Sequence, residues 1–196
     1  KNAALLLLSL LFYAWGEPKY VLLMLFSIAQ GYVFGLLIEK RRSQRAARYF
    51  LLASVLISLA LLGCFKYADF FLESVNAVTG LSLPLPRLSL PIGISFYTFQ
   101  VLSYVIDVYR GDTPAQRSFI DLAAYVSLFP QLIAGPIVRY SDVAGQLQTR
   151  VHSRSAAAEG VRRFAAGLSK KVLLANQFGA LADICKQAQD ASVLFI

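Results

Sequence analysis

Apolar residues run along this chain in long stretches separated by short charged links. A helix that crosses the hydrocarbon core of a bilayer needs about 20 consecutive apolar residues. Residues 3–15 form a first, shorter run that ends in the aromatics Phe12, Tyr13 and Trp15, which suit a membrane interface. Residues 20–38 and 49–65 read as second and third spans, and 90–108 as a fourth, opened by Pro91 in the first turn. A fifth run, 119–138, is interrupted by Pro130, Gly135 and Pro136. Residues 81–91 contain Pro84, Pro86 and Pro91, too much proline for a helix. Farther on, residues 156–182 place Val161, Phe164, Ala165, Leu168, Val172 and Leu173 at helical spacing, with Arg162, Arg163, Lys170 and Lys171 between them. Both a basic amphipathic helix on a membrane surface and a partly buried connecting helix fit that pattern.

Composition sharpens this reading. Of 196 residues, 57% are hydrophobic and 15% charged, against about 25% charged in soluble domains. Mean hydropathy is +0.58. A disordered chain, an ordinary soluble nucleic-acid-binding domain and a small disulfide-stapled module are excluded. Cys64 and Cys185, far apart, make neither a zinc pattern nor a disulfide framework. The chain opens on Lys1 and stops within a new apolar run at 193–196. It therefore reads as a single membrane domain over 1–196, cut from a longer polytopic protein.

The net charge of +8 has a use in orienting such a chain, because links rich in Lys and Arg stay in the cytoplasm. Link 39–48 carries five bases against Glu39, a net of +4, whereas link 66–89 has two bases and two acids. The first is expected inside the cell and the second outside. Alternation then puts 111–118 inside. If 119–138 spanned fully, residues 139–171, with seven bases against two acids (+5), would lie outside. A re-entrant segment that breaks at Pro130 and Gly135-Pro136 and returns to the cytoplasmic face removes the conflict, provided protein or a watery cavity covers its broken backbone. The expected fold is all-α: a polytopic transmembrane helix bundle with one re-entrant segment and a cytoplasmic-side amphipathic helix.

Candidate chemistry is sparse. Gln100, Ser103, Tyr104 and Asp107 share one face of the fourth span, and polar groups at that depth face a bundle interior or a water path. Glue between helices is the plainer alternative. Asp107 and Arg110 are close enough in sequence to pair on a helix. Arg139 and Tyr140 follow the Gly135-Pro136 break, and Arg139 there is suited either to an anion or to anchoring at the interface. His152, the one histidine, lies in the polar stretch 146–155 and reads as a solvated loop residue. No metal-ligand cluster, phosphate loop or carboxylate pair is recognisable. Gln100, Ser103, Tyr104, Asp107, Arg110, Gln131, Gly135, Pro136 and Arg139 are the candidate channel or donor-side residues; no residue of the chain is assigned as catalytic.

Three stretches carry a family resemblance: CFKYADF at 64–70, LPIGISFYTFQ at 90–100 continuing as SYVIDVYRG at 103–111, and FPQLIAGPIVRY at 129–140. They resemble the membrane-bound O-acyltransferase family, in its bacterial branch for alginate O-acetylation, and cover only its N-terminal part. The resemblance implies a ring of helices around a narrow passage. An acyl group, in this branch acetyl, arrives on a cytosolic thioester such as acetyl-CoA or an acyl carrier and leaves towards hydroxyls of an exported polysaccharide. It also implies a bacterial inner-membrane, multi-pass protein, periplasmic acetylation proteins or the polysaccharide as partners alongside the bilayer, no nucleic acid and no bound cofactor. The family's embedded catalytic histidine belongs to a tryptophan–histidine motif that His152 and Trp15 do not match. A transporter or flippase fragment and a non-catalytic assembly subunit are the alternatives.

Overall fold

A computed structural model describes residues 1–132, 135, 138–149 and 153–187. Its described elements are helical, with no strand among the described residues. It divides into two compact units, 1–149 and 150–196.

In the first unit, α1 (Asn2–Gly16) leads through a 3-10 turn at Pro18–Tyr20 into α2 (Val21–Lys40). Then come α3 (Ala46–Thr79), α4 (Ile94–Arg110), α5 (Phe119–Val126), the short α6 (Phe129–Leu132) and α7 (Tyr140–Gln148). Pro18–Lys40 and Ala46–Thr79 are long and apolar enough to cross a membrane. Two ends of this unit are distinguishable by chemistry. One holds Glu39, Arg42, Arg110 and Arg117, and is called here the charged end. The other holds the proline-containing segment, where Tyr13 donates to the Ile92 carbonyl at 3.0 Å and Tyr20 to that of Ser89 at 3.0 Å.

The helices pack by burying what soluble helices expose. On α3, Ala47, Ser54, Ser58 and Leu62 are buried, while Tyr49, Leu52, Leu56 and Leu59 on the opposite face are exposed. Gln30 of α2 supplies the partners the buried serines need: its Nε2 donates to Ser58 at 2.9 Å, and its Oε1 accepts from Ser54 at 3.1 Å. Between α2 and α4 the contact is closer still. A Cβ on Gly31 would stand 2.5 Å from Val101 Cγ1, and one on Gly35 would stand 2.7 Å from the Tyr104 hydroxyl. Gly31 and Gly35, four apart, are a small-residue pair that lets two apolar helices meet backbone to side chain.

Three expectations change. Pro91 does not open the fourth helix, which starts at Ile94 after Gly93 in the left-handed region (φ 74°); a Cβ at Gly93 would meet the Leu132 carbonyl at 3.0 Å. The third helix does not stop at Phe65 but continues through Lys66–Thr79, so that the link starts only at Gly80. Nothing between Lys66 and Thr79 breaks a helix. Gly80, at φ 71°, ends it by returning its N–H to Asn76 O at 2.9 Å. Residues 80–93 form no extended regular element, as their prolines predict. Thirdly, the fifth run breaks earlier than its prolines alone imply. Helix α5 ends at Val126, and Pro130 falls in the first turn of α6, where its missing N–H costs nothing.

The re-entrant path itself agrees with the contacts. Asp121 near the start of α5 accepts from Asn2 at 2.6 Å. Leu132 lies against Gly93 at the proline end. By Val138 the chain is back, its carbonyl accepting from Tyr125 at 2.5 Å, and Tyr140 stands beside Gln116 at the charged end. Of the Gly135-Pro136 break, Pro136 lies outside the described residues.

The second unit consists of α8 (Arg154–Lys170), a wider π turn at Lys171–Ala175 and α9 (Asn176–Gln187). Ser153 caps α8 by accepting from the Ala156 N–H at 3.1 Å. Val161, Phe164, Leu168 and Val172 lie along one side of α8 and the turn that follows it.

Gly35→Ala should force Tyr104 from its seat and cost about 1–3 kcal/mol, whereas Gly63→Ala, with nothing near its Cβ, should be neutral or slightly stabilising. Thermal unfolding of both variants in detergent checks the contrast.

Candidate functional site

At the charged end, the last turn of α2 carries Glu39, whose carboxylate holds the link between α4 and α5 in place. It accepts the Ala115 N–H at 2.9 Å and pairs with the Arg117 guanidinium. Helix α4 stops at Gly111 (φ 90°), whose N–H and that of Asp112 both return to Asp107 O at 3.0 Å. Arg42 reaches across to donate to the Val108 carbonyl at 2.7 Å, which also accepts from the Gly111 N–H at 3.2 Å.

Gln116 then ties together α4, α7 and the residue that caps α5. Its N–H donates to the Tyr104 hydroxyl at 2.9 Å, its Nε2 to the Tyr140 hydroxyl at 2.6 Å, and its Oε1 accepts from the Ser118 N–H at 3.0 Å. Tyr140 meets Tyr104 and Tyr125 edge-on, with ring centroids 5.1 and 5.4 Å apart. Burial pushes the Tyr140 phenol above its ordinary pKa, with the Gln116 bond opposing, so it stays neutral and hydrogen-bonding at pH 7. A cleft of about 410 Å³ opens beside this cluster, lined by Glu39, Thr113, Gln116, Arg117, Tyr140 and Gly145 among others.

From that cluster a polar stripe runs along α4. Tyr97, Gln100, Tyr104 and Asp107 are buried on one face. The Tyr97 hydroxyl, Gln100 Oε1 and Asp107 Oδ2 have no hydrogen-bond partner among the described residues. Buried polar groups in folded proteins are nearly always satisfied, so a row of unsatisfied ones calls for water or a ligand. Ten residues of helix separate Tyr97 from Asp107, about 15 Å.

The structure brings four of the sequence candidates together: Gln100, Ser103, Tyr104 and Asp107 on α4, with Ser103 donating to the Gln100 carbonyl at 2.9 Å and lying beside the Tyr125 phenol. Arg139 is exposed, opens α7 and is the foremost cation acting on Asp107. Arg110 is exposed, and the expected Asp107–Arg110 pair does not form: the ion pairs among the described residues are Arg117–Glu39 and Arg163–Glu159. An exposed guanidinium at a helix end gains more from water than from a carboxylate buried a turn below. Gln131 is half-buried in α6. Gly135 is required by space, since a Cβ there would stand 2.6 Å from Gln131 Cα. Pro136 and His152 lie outside the described residues. Glu39, Gln116, Tyr125 and Tyr97 were not among the candidates. Only Glu39 had a signal, as the single acid in a link of five bases. Among the described residues no group of three or more His, Cys, Asp or Glu is placed to hold a metal ion.

Comparison with known proteins adds a direct indication. The chain is 43% identical over 97% of its length to the probable alginate O-acetylase AlgI of Pseudomonas syringae pv. tomato, and 44% identical over 97% to that of Pseudomonas aeruginosa. It is 34% identical over 91% of its length to the peptidoglycan O-acetyltransferase of Helicobacter pylori. It spans 38%, 38% and 39% of the length of those relatives. No family model matches, and no solved structure does. The relatives bear out the resemblance to the membrane-bound O-acyltransferases.

Tyr104→Phe should leave the buried Gln116 N–H without its acceptor and cost about 1–3 kcal/mol. Tyr32→Phe, which removes an exposed bond to the Arg117 carbonyl, should cost less because water replaces it. Chemical denaturation of both variants in detergent measures the difference.

Proposed function

We propose that this chain forms part of a membrane O-acyltransferase that moves an acetyl group from a cytosolic thioester towards hydroxyls of an exported polysaccharide such as alginate. The reaction class is supported by similarity over nearly the whole chain to proteins named as O-acetylating enzymes. The observation that carries the mechanism is the unsatisfied polar row Tyr97, Gln100 and Asp107 on α4. Acyl transfer across a bilayer needs such a row, because the polar head of the reaction must be solvated along an otherwise apolar path.

The charged end is the cytoplasmic, donor-binding face of a multi-pass inner-membrane protein. There Arg139 favours the phosphates of a CoA or carrier thioester, and the cleft beside Glu39 and Tyr140 gives room for it. The hydroxyl attacks the thioester carbonyl, the thiolate leaves, and a base takes the hydroxyl proton. That base is the family's embedded histidine, for which this chain has no matching residue. A periplasmic acetylation protein or the polysaccharide itself receives the group. A transporter or flippase fragment remains the second reading, favoured by the broken segment through α5 and α6, since transporters build binding sites from such helices.

Orientation is tested by single cysteines at Ser43 and Ser82, with Cys64 and Cys185 replaced. In intact cells a membrane-impermeant thiol reagent should label position 82 and spare 43; the reverse labelling sinks the orientation. In the full-length protein, Arg139→Lys should weaken donor binding about tenfold, because a point charge replaces a planar two-pronged donor, while membrane insertion and melting temperature hold. Donor titration by calorimetry, with unchanged affinity, would remove Arg139 from the site.

A further inference from the structure

A second cavity at the charged end, of about 360 Å³, is lined by Gln44, Arg45, Arg48, Tyr49 and Tyr109. It shares no residue with the cleft beside Glu39 and Tyr140. Its two guanidiniums stand out from the neighbouring bases. Arg41 bonds Gln44, Arg42 bonds the Val108 carbonyl and Arg117 pairs with Glu39. Arg45 and Arg48 have no side-chain hydrogen bond or ion pair to a described residue. They also stand at the N-terminal end of α3, which has no acidic residue in its first turn. Positive side chains at the positive end of a helix repel it unless an anion intervenes.

What lies below the cavity narrows the kind of anion. From Tyr49 the exposed face of α3 continues as Leu52, Leu56 and Leu59, an apolar stripe about 15 Å long that leads directly out of the cavity. Tyr49 and Tyr109 phenols at its rim suit the boundary between headgroup and chain. A ligand that fits both parts carries a phosphate and acyl chains.

We propose that the Gln44, Arg45, Arg48, Tyr49 and Tyr109 cavity binds the headgroup of an anionic phospholipid, whose chains lie along Leu52, Leu56 and Leu59. The guanidiniums hold the phosphate by two-pronged charge-assisted bonds, and the tyrosine hydroxyls and Gln44 take the glycerol oxygens. This binding is independent of acyl transfer and of which substrate the protein uses.

The test is native mass spectrometry of the full-length protein in detergent, titrated with phosphatidylglycerol, phosphatidylcholine or glycerol 3-phosphate. Phosphatidylglycerol should bind tightest. The Arg45→Gln/Arg48→Gln double variant should lose roughly thirty-fold in affinity for it at unchanged melting temperature, and Arg41→Gln should lose little. In the otherwise unchanged full-length protein, Leu52→Ser/Leu56→Ser should weaken the lipid and leave glycerol 3-phosphate unaffected. Equal affinity for phosphatidylcholine, equal affinity for glycerol 3-phosphate, or full retention of phosphatidylglycerol by the double arginine variant would each overturn the proposal. If the double variant fails to fold, Arg45→Lys/Arg48→Lys takes its place, with a smaller loss expected and no loss again overturning it.

Discussion

The approach of α2 to α4 through Gly31 and Gly35 is the constraint on which the charged end depends. With no side chain at Gly35, the Tyr104 ring occupies the space a Cβ would need. From there its hydroxyl reaches the Gln116 N–H, and Gln116 in turn reaches Tyr140. The link between α4 and α5, the start of α7 and the aromatic cluster are therefore located by two missing side chains on a neighbouring helix. Glu39, a single turn beyond Gly35 on the same helix, fixes the far side of that link through Ala115 and Arg117. One helix thus sets both walls of the cleft.

Apolar burial does not drive such packing where the surroundings are themselves apolar; close fit and hydrogen bonds between helices do. The Gln30, Ser54 and Ser58 set is the hydrogen-bonded half of this bargain, and the glycines are the close-fitting half. Leucines on the outer face of α3 are left exposed because lipid, rather than protein, is their expected neighbour. The same logic makes the unsatisfied groups on α4 informative. Beside the fully paired Gln30, Ser54 and Ser58, the Tyr97 hydroxyl, Gln100 Oε1 and Asp107 Oδ2 on α4 have no hydrogen-bond partner among the described residues.

Hydropathy alone located α1, α2 and the bulk of α3 and α4, because long apolar runs have one main meaning in a membrane. Loop charge, set against the fifth run, was enough to call for a chain that returns on itself, and the contacts of Leu132 and Tyr140 follow that path. Boundaries were less legible. Residues 66–79 contain Lys66, Asp69 and Glu73, and counting charge made a loop of them, yet a charged stretch without Gly or Pro propagates a helix as well as an apolar one. The α4 stripe was visible from its period, but not its partners, since Gln116 and Tyr125 come from other elements and nothing in their local sequence announces a meeting 12 to 24 residues away. The Asp107–Arg110 spacing permitted a pair that solvent access at the helix end then disfavoured.

The length of α3 has a geometric consequence of its own. Its 34 residues reach about 51 Å at 1.5 Å per residue, against a hydrocarbon layer of about 30 Å. Tilt alone would have to exceed 50° to hide that length, beyond the range of about 0–40° seen for membrane helices. Part of the helix must therefore stand clear of the lipid. The edge contact of Tyr20 with Phe65 marks where it leaves its neighbours. Beyond it, Asn76 clasps Leu83 through both its amide atoms, and Asp69 holds the Arg87 N–H. The projecting turns act as a mast with the proline-containing segment lashed to it, setting that segment's height above the membrane by helix rise rather than by loop length.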